Sequence, residues 1–152
     1  MAGLEWFAAR TGQIIAWPDP SPVPGLPYLV SKAKAIYKPN VTVNPTGVAL
    51  SVRHNATGPY EDVVTSSDEP GRWTMRYQME GDDPTYYTNA ALRQNLCLGI
   101  PVAVLIQVEP KPNPRYLVRG LAKVCSEGIR YFDLTGMSLH VASAPDCWLK
   151  DR

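Results

Sequence analysis

ALSVRHNATGPYEDVVTSSDEPGRWTMRYQMEG, residues 49–81, holds two strand patterns joined by polar turns. In its second half Trp73, Met75, Tyr77 and Met79 alternate with Thr74, Arg76 and Gln78. That is the period-two pattern of a strand buried on one face. Asp62 lies between Tyr60 and Tyr77. In an extended segment Tyr60 and Asp62 share a face and Glu61 points the other way. Two aromatic faces and one acceptor suit a flat heterocycle with an exocyclic amine. A base lifted out of a nucleic-acid stack is held by such stacking, and a carboxylate accepts from cytosine N4. A tyrosine on an apolar face also often just packs, with its hydroxyl satisfied, and that reading of Tyr77 stands beside the first.

Upstream, Leu4, Phe7 and Ala8 fall at i, i+3 and i+4, which predicts a short helix over residues 4–10 closed by Gly12. WPDPSPVPGLP, residues 17–27, excludes regular structure through its prolines and reads as a stiff strap. YLVSKAKAIYKP carries Lys32, Lys34 and Lys38 beside Tyr28 and Tyr37, as an edge strand guarded by lysines or as a phosphate-contacting rim. VALSV is a further strand.

Downstream, Asp83 as N-cap and Pro84 at the first position predict the main helix over residues 84–97. Leu92, Leu96 and Cys97 form its apolar face, and Gly99 stops it. Asn89 in its middle is a poor helix former, of the kind that bonds a buried backbone group or faces a site. PVAVLIQVE, RYLVRGLAKVC and IRYFDL read as strands, with Gly120 marking a bulge or a close backbone approach. SLHVA is a possible last strand. One main helix among six or so strands predicts an α+β, barrel-like fold.

At 152 residues the chain is sized for a single domain: helix and strap over 1–30, core over 31–134, C-terminal tail over 135–152. The net charge of +1 gives no global pull toward polyanions, so a nucleic-acid face has to come from local basic clusters. Cys97, Cys125 and Cys147 include no CxxC pair, which predicts reduced thiols in a cytoplasmic protein and neither a disulfide framework nor a zinc site. No apolar run is long enough to span a membrane, and nothing at the start resembles a secretion signal, so no membrane partner is expected. No phosphate-binding loop, dinucleotide fingerprint, HExxH or GxSxG is present, and no nucleophile–base set is visible, so no enzyme activity, metal or cofactor is expected.

GPYEDVV, then MRYQMEG, then TNAALRQNLCLGIPVAVLIQV, then RYLVRGLAKV resembles the SET- and RING-associated (SRA, or YDG) domain family. In that family a GGYEDD-like turn, a YTG-like strand end, a TNxNxALxxNC-like helix, a PVRVVR-like strand and a YDGxYxV-like strand follow in the same order. The likeness covers residues 31–134 and is nearest to SRA-like domains fused to HNH nucleases in bacterial modification-dependent restriction. It implies a PUA-like twisted β-barrel that binds double-stranded DNA and flips one modified cytosine, 5-methyl- or 5-hydroxymethylcytosine, into a pocket. Tyr60 and Tyr77 would sandwich the base, and Asp62 or its neighbour would accept from N4. Gly58 would let backbone approach, and Thr88 and Asn89 would buttress the pocket. Pro59 and Val63 stand where the family has a glycine and a second acid, and Tyr116-Leu117 departs from the Tyr-Asp-Gly signature. Phosphate or groove contacts would come from Lys32, Lys34, Lys38, Arg53, His54, Arg76 and Arg93, and any nuclease from a further domain. The alternatives are a PUA-like RNA-binding module and a protein-interaction domain.

Overall fold

The structure, a computed structural model, describes residues 2–18, 20–54, 63–66 and 73–137. In chain order its elements are α1 (Ala2–Ala8), β1 (Ile14–Ala16), β2 (Ile36–Tyr37), β3 (Ser51–His54), β4 (Val63–Ser66), β5 (Trp73–Gln78), α2 (Tyr87–Leu98), β6 (Val102–Glu109), β7 (Arg115–Glu127) and β8 (Tyr131–Gly136). The strands form one mixed sheet in the order β2-β3-β6-β7-β8-β5-β4, with β1 added beside the start of β7. The β3–β6 pair is parallel and the other described ladders are antiparallel.

Both faces of the sheet's centre are covered, which explains the unbroken apolar run that opens β6. Val102 and Val104 face the core under α2, with Ala91 and Leu92. Ala103 and Leu105 face the second core, with Leu4 and Phe7 of α1. Burying side chains such as Leu4 and Phe7 stabilises by about 1.5–3 kcal/mol each, which holds so short a helix in place.

A bulge in β7 lets one strand serve both cores. Val104 pairs with Gly120 and Leu105 with Val118, so Arg119 is the extra residue. Before it, Tyr116 and Val118 point to the α1 side; after it, Ala122 and Val124 point to the α2 side. The even-numbered residues thus change faces without leaving the strand. Gly120 has φ +128°, and a Cβ there would lie 3.2 Å from the Thr11 methyl. On its other edge β7 pairs with β1 before the bulge and with β8 after it.

Ile36 and Val52, near one end of the strand order, share a core with Met75 and Tyr77, near the other. The sheet is therefore rolled around that core, an α+β half-barrel with one helix on each side.

Four expectations are corrected. The main helix starts at Tyr87 rather than Pro84, because Asp83 Oδ1 accepts from the Thr85 N–H and hydroxyl and closes a turn ahead of it. Its buried face is Thr88, Asn89, Ala91, Leu92 and Asn95, while Cys97 is exposed. The first helix is shifted to Ala2–Ala8, and the chain leaves it through a Gly12 N–H bond to Val118 O. The lysine-bearing segment is a strand only at Ile36–Tyr37, since the Ala35 and Ile36 N–H groups bond the Glu80 carboxylate.

The strap contains no helix or strand among its described residues and is pinned by buried Val23 and by Trp17 against Tyr116. The bulge at Gly120 and the alternation of β5 are as expected. SLHVA lies outside the described residues. Among those described, no helix is long and apolar enough to cross a membrane.

Candidate nucleic-acid interface

Tyr77 lies on β5 opposite Phe132 of β8 and is 2% exposed. Its ring packs in the core beneath α2, and its hydroxyl donates to the Arg53 carbonyl at 2.8 Å. That bond ties β5 to β3 across the roll of the sheet. The ring has almost no free face, so the core-tyrosine reading describes its packing. Gly58, Tyr60 and Asp62 lie outside the described residues, so the aromatic pair has one placed member. The described residues on either side of 55–62 are His54, which closes β3, and Val63, which pairs with Arg76, the neighbour of Tyr77.

Arg53 does not present a free guanidinium. Its Nη2 donates to the carbonyls of Ser31 at 2.8 Å and Lys34 at 2.7 Å. Its backbone N–H donates to Ala35 O. The guanidinium carbon lies 5.1 Å from the centre of the Trp17 ring, which leans on Tyr116. Buried Nε has no partner among the described residues. Of the expected phosphate contacts, Arg53 is the one whose head group is held by backbone carbonyls.

Asn89 and Glu80 complete the same frame. Asn89 is fully buried; its Oδ1 accepts the Glu80 N–H, and its Nδ2 donates to Glu80 O and Asp83 O. Glu80 in turn accepts the N–H groups of Ala35 and Ile36 with its two carboxylate oxygens. Hydrogen bonds therefore run from α2 through Glu80 to segment 31–36, then to Arg53 and Tyr77. Thr88 is also fully buried, and its hydroxyl has no partner among the described residues. Thr88 and Asn89 both face inward from the start of α2.

The remaining cations divide by what already holds them. Arg93 makes a two-pronged pair with Glu127, both bonds 2.7 Å, and also donates to Pro84 O. Those bonds hold the Glu127 carboxyl below its ordinary value and the Arg93 guanidinium above its own. Arg76 pairs with Asp133 at 3.2 Å and lies 4.0 Å from the Tyr131 ring centre. A phosphate at either arginine has to compete with a carboxylate. Lys32 is exposed, and Lys34, Lys38 and His54 are half-buried. The Lys34 ammonium lies 5.0 Å from the Tyr86 ring centre, and hydrogen bonding to Tyr86 raises its pKa.

Sequence reasoning missed three residues of this region. Glu80 carries no local signal, since its partners are over forty residues away. Trp17 sits in the strap as a cover for Arg53. Arg119, aimed by the bulge at Trp73 with 4.9 Å to the ring centre, has its pKa lowered by burial; Gly120 was its signal. Among the described residues no group of three or more His, Cys, Asp or Glu is arranged to hold a metal.

No family model matches the sequence, and no curated protein matches it significantly. Among solved structures the chain is similar to KRYPTONITE in complex with mCHH DNA, an H3(1-15) peptide and SAH, with TM-score 0.51 and 17% identity over 69% of this chain. It is equally similar to KRYPTONITE in complex with mCHG DNA and SAH, with TM-score 0.51 and 17% identity over 68% of this chain. The match spans 27% of the KRYPTONITE chain in each case. Over about two thirds of its length, then, this chain shares its fold with one part of KRYPTONITE.

Proposed function

We propose that the chain is an SRA-like reader of modified DNA, built on a PUA-like half-barrel. The observation that carries this reading is its fold, shared with part of a protein solved with mCHH and mCHG DNA. The GPYEDVV, MRYQMEG and TNAALRQN motifs follow in SRA order along the chain, the second on β5, the third on α2, and Val63 and Val64 of the first on β4. The ligand is duplex carrying 5-methyl- or 5-hydroxymethylcytosine, everted toward the turn that holds Gly58, Tyr60 and Asp62. Tyr77 is the anchored wall of that site, with its hydroxyl tied to β3, and the packing around its ring has to open for a base to stack. Stacking contributes about 1–3 kcal/mol per base, and Lys32, Lys34 and Lys38 supply salt-dependent phosphate contacts. The domain acts as a cytoplasmic reader without chemistry of its own, in a restriction system whose nuclease lies on another segment.

Binding of the chain to matched duplexes with cytosine, 5-methylcytosine, 5-hydroxymethylcytosine, glucosylated cytosine or N6-methyladenine, and to structured RNA, tests this. Preference for a cytosine modification supports it. Equal affinity for every duplex, or preference for RNA, overturns it.

The burial of Tyr77 favours a second reading, a protein-interaction domain in which that ring only packs. No measurable binding to any nucleic acid in the panel would select it.

A further inference from the structure

We infer that Arg53 is a positioning residue that sets selectivity for the modified base by fixing Tyr77, rather than a phosphate contact. This rests on the reader function proposed above. Arg53 is the junction of three parts of the site. Its carbonyl receives the Tyr77 hydroxyl at 2.8 Å, its guanidinium binds Ser31 O and Lys34 O and pairs with no carboxylate among the described residues, and its N–H binds Ala35 O. It is followed in sequence by His54 and then by residues 55–62, which include Gly58, Tyr60 and Asp62.

The guanidinium is also confined. One face lies over Trp17, two bonds from Nη2 fix its in-plane rotation, and Nε is buried. A planar fork held in this way cannot turn toward a phosphate without giving up both carbonyls. What it does instead is hold segment 31–34 against β3, and the far side of that segment is held by Glu80, which Asn89 of α2 orients. The backbone of Arg53 is thereby fixed from the side chain outward, and the tip of the Tyr77 ring is fixed to that backbone. Loss of the guanidinium therefore loosens the wall of the pocket and segment 31–34 while removing none of the lysine charges, and Lys38 lies outside that segment.

The experiment measures affinity for modified and unmodified duplex, each over a range of salt, for wild type, Arg53→Met, Arg53→Lys and Tyr77→Phe. Arg53→Met keeps the stem over Trp17 and removes the fork. We expect selectivity for the modified duplex to fall about five- to tenfold, the equivalent of one hydrogen bond's net contribution, with the salt slope unchanged. Lysine, which can still reach one carbonyl, restores part of it. Tyr77→Phe, which cuts the same link from the other side, lowers selectivity similarly and keeps the inference testable if Arg53→Met does not fold. If Arg53→Met weakens both duplexes equally and reduces the salt slope by about one, Arg53 is a phosphate contact and the inference is wrong. Unchanged selectivity in Tyr77→Phe also overturns it. Wild type without selectivity would instead refute the reader function itself.

Discussion

Asn95→Ala is expected to be among the most damaging single substitutions in this chain. Asn95 is 1% exposed on the inner face of α2, and its amide imitates a neighbouring strand. Oδ1 accepts the Ala49 N–H at 2.8 Å, and Nδ2 donates to Ala49 O and Ile100 O at 3.0 Å and more weakly to Pro101 O at 3.4 Å. Three good bonds contribute about 1 kcal/mol each net, and removing the amide leaves the Ala49 N–H and C=O without that partner at a further penalty of about 1–3 kcal/mol per buried group. With some relaxation and water entry, the loss is about 3–5 kcal/mol out of a typical total of about 5–15. Urea unfolding followed by tryptophan fluorescence measures it, and Tm should fall by about 6–20 °C. Asn95→Asp is the sharper control, because it keeps the acceptor for Ala49 N–H but faces three carbonyls with a carboxylate. That places its folded pKa above the unfolded value, so the variant recovers stability as pH falls, when the protonated acid can again donate. A loss below about 1 kcal/mol for Asn95→Ala, or no pH dependence for Asn95→Asp, would refute the account of this residue as a substitute strand.

Tyr77→Phe should destabilise by about 1–2 kcal/mol, since it leaves the Arg53 carbonyl without its donor; chemical denaturation checks this, and no change would mean another donor takes over. Glu127→Gln should cost no more than about 1 kcal/mol at neutral pH, because the pair with Arg93 is about a third exposed. The folded carboxyl is held below its unfolded value, so the pair's contribution is present above about pH 4.3 and is lost as pH falls through the folded pKa. Wild type and Glu127→Gln should therefore converge in stability on acidification; a gap that widens would reverse the assignment. Gly120→Ala should lose about 1–3 kcal/mol to backbone strain at positive φ. Adding Thr11→Ala should not restore it, and full rescue by that second change would show that contact, not φ, governs the position.

How far the chain was legible follows the range of the forces involved. The alternation of Trp73, Met75, Tyr77 and Met79 reports a one-sided strand because side-chain direction along a strand is local. The β-branched run from Val102 to Leu105 and the glycine at 120 likewise announced a strand and a bulge. Lys32, Lys34 and Lys38 are close together in the sequence, which left both an edge strand guarded by lysines and a phosphate rim open, and the structure makes a strand only of Ile36–Tyr37. What the sequence could not supply were partners made by the rolling of the sheet. Glu80 capping Ala35 and Ile36, Asn95 pairing with Ala49, and Tyr77 bonding Arg53 each join residues that only the closed half-barrel brings within hydrogen-bond distance. Arg53 and Arg93 were expected as phosphate contacts because a one-dimensional reading counts charges and cannot see the carbonyls that hold the one or the carboxylate that pairs with the other. Composition and periodicity thus determined which segments are strands and which residue types are available for chemistry. The tertiary structure decided which of those groups are already committed to the fold, because a hydrogen bond between distant strands has no signature in either strand alone.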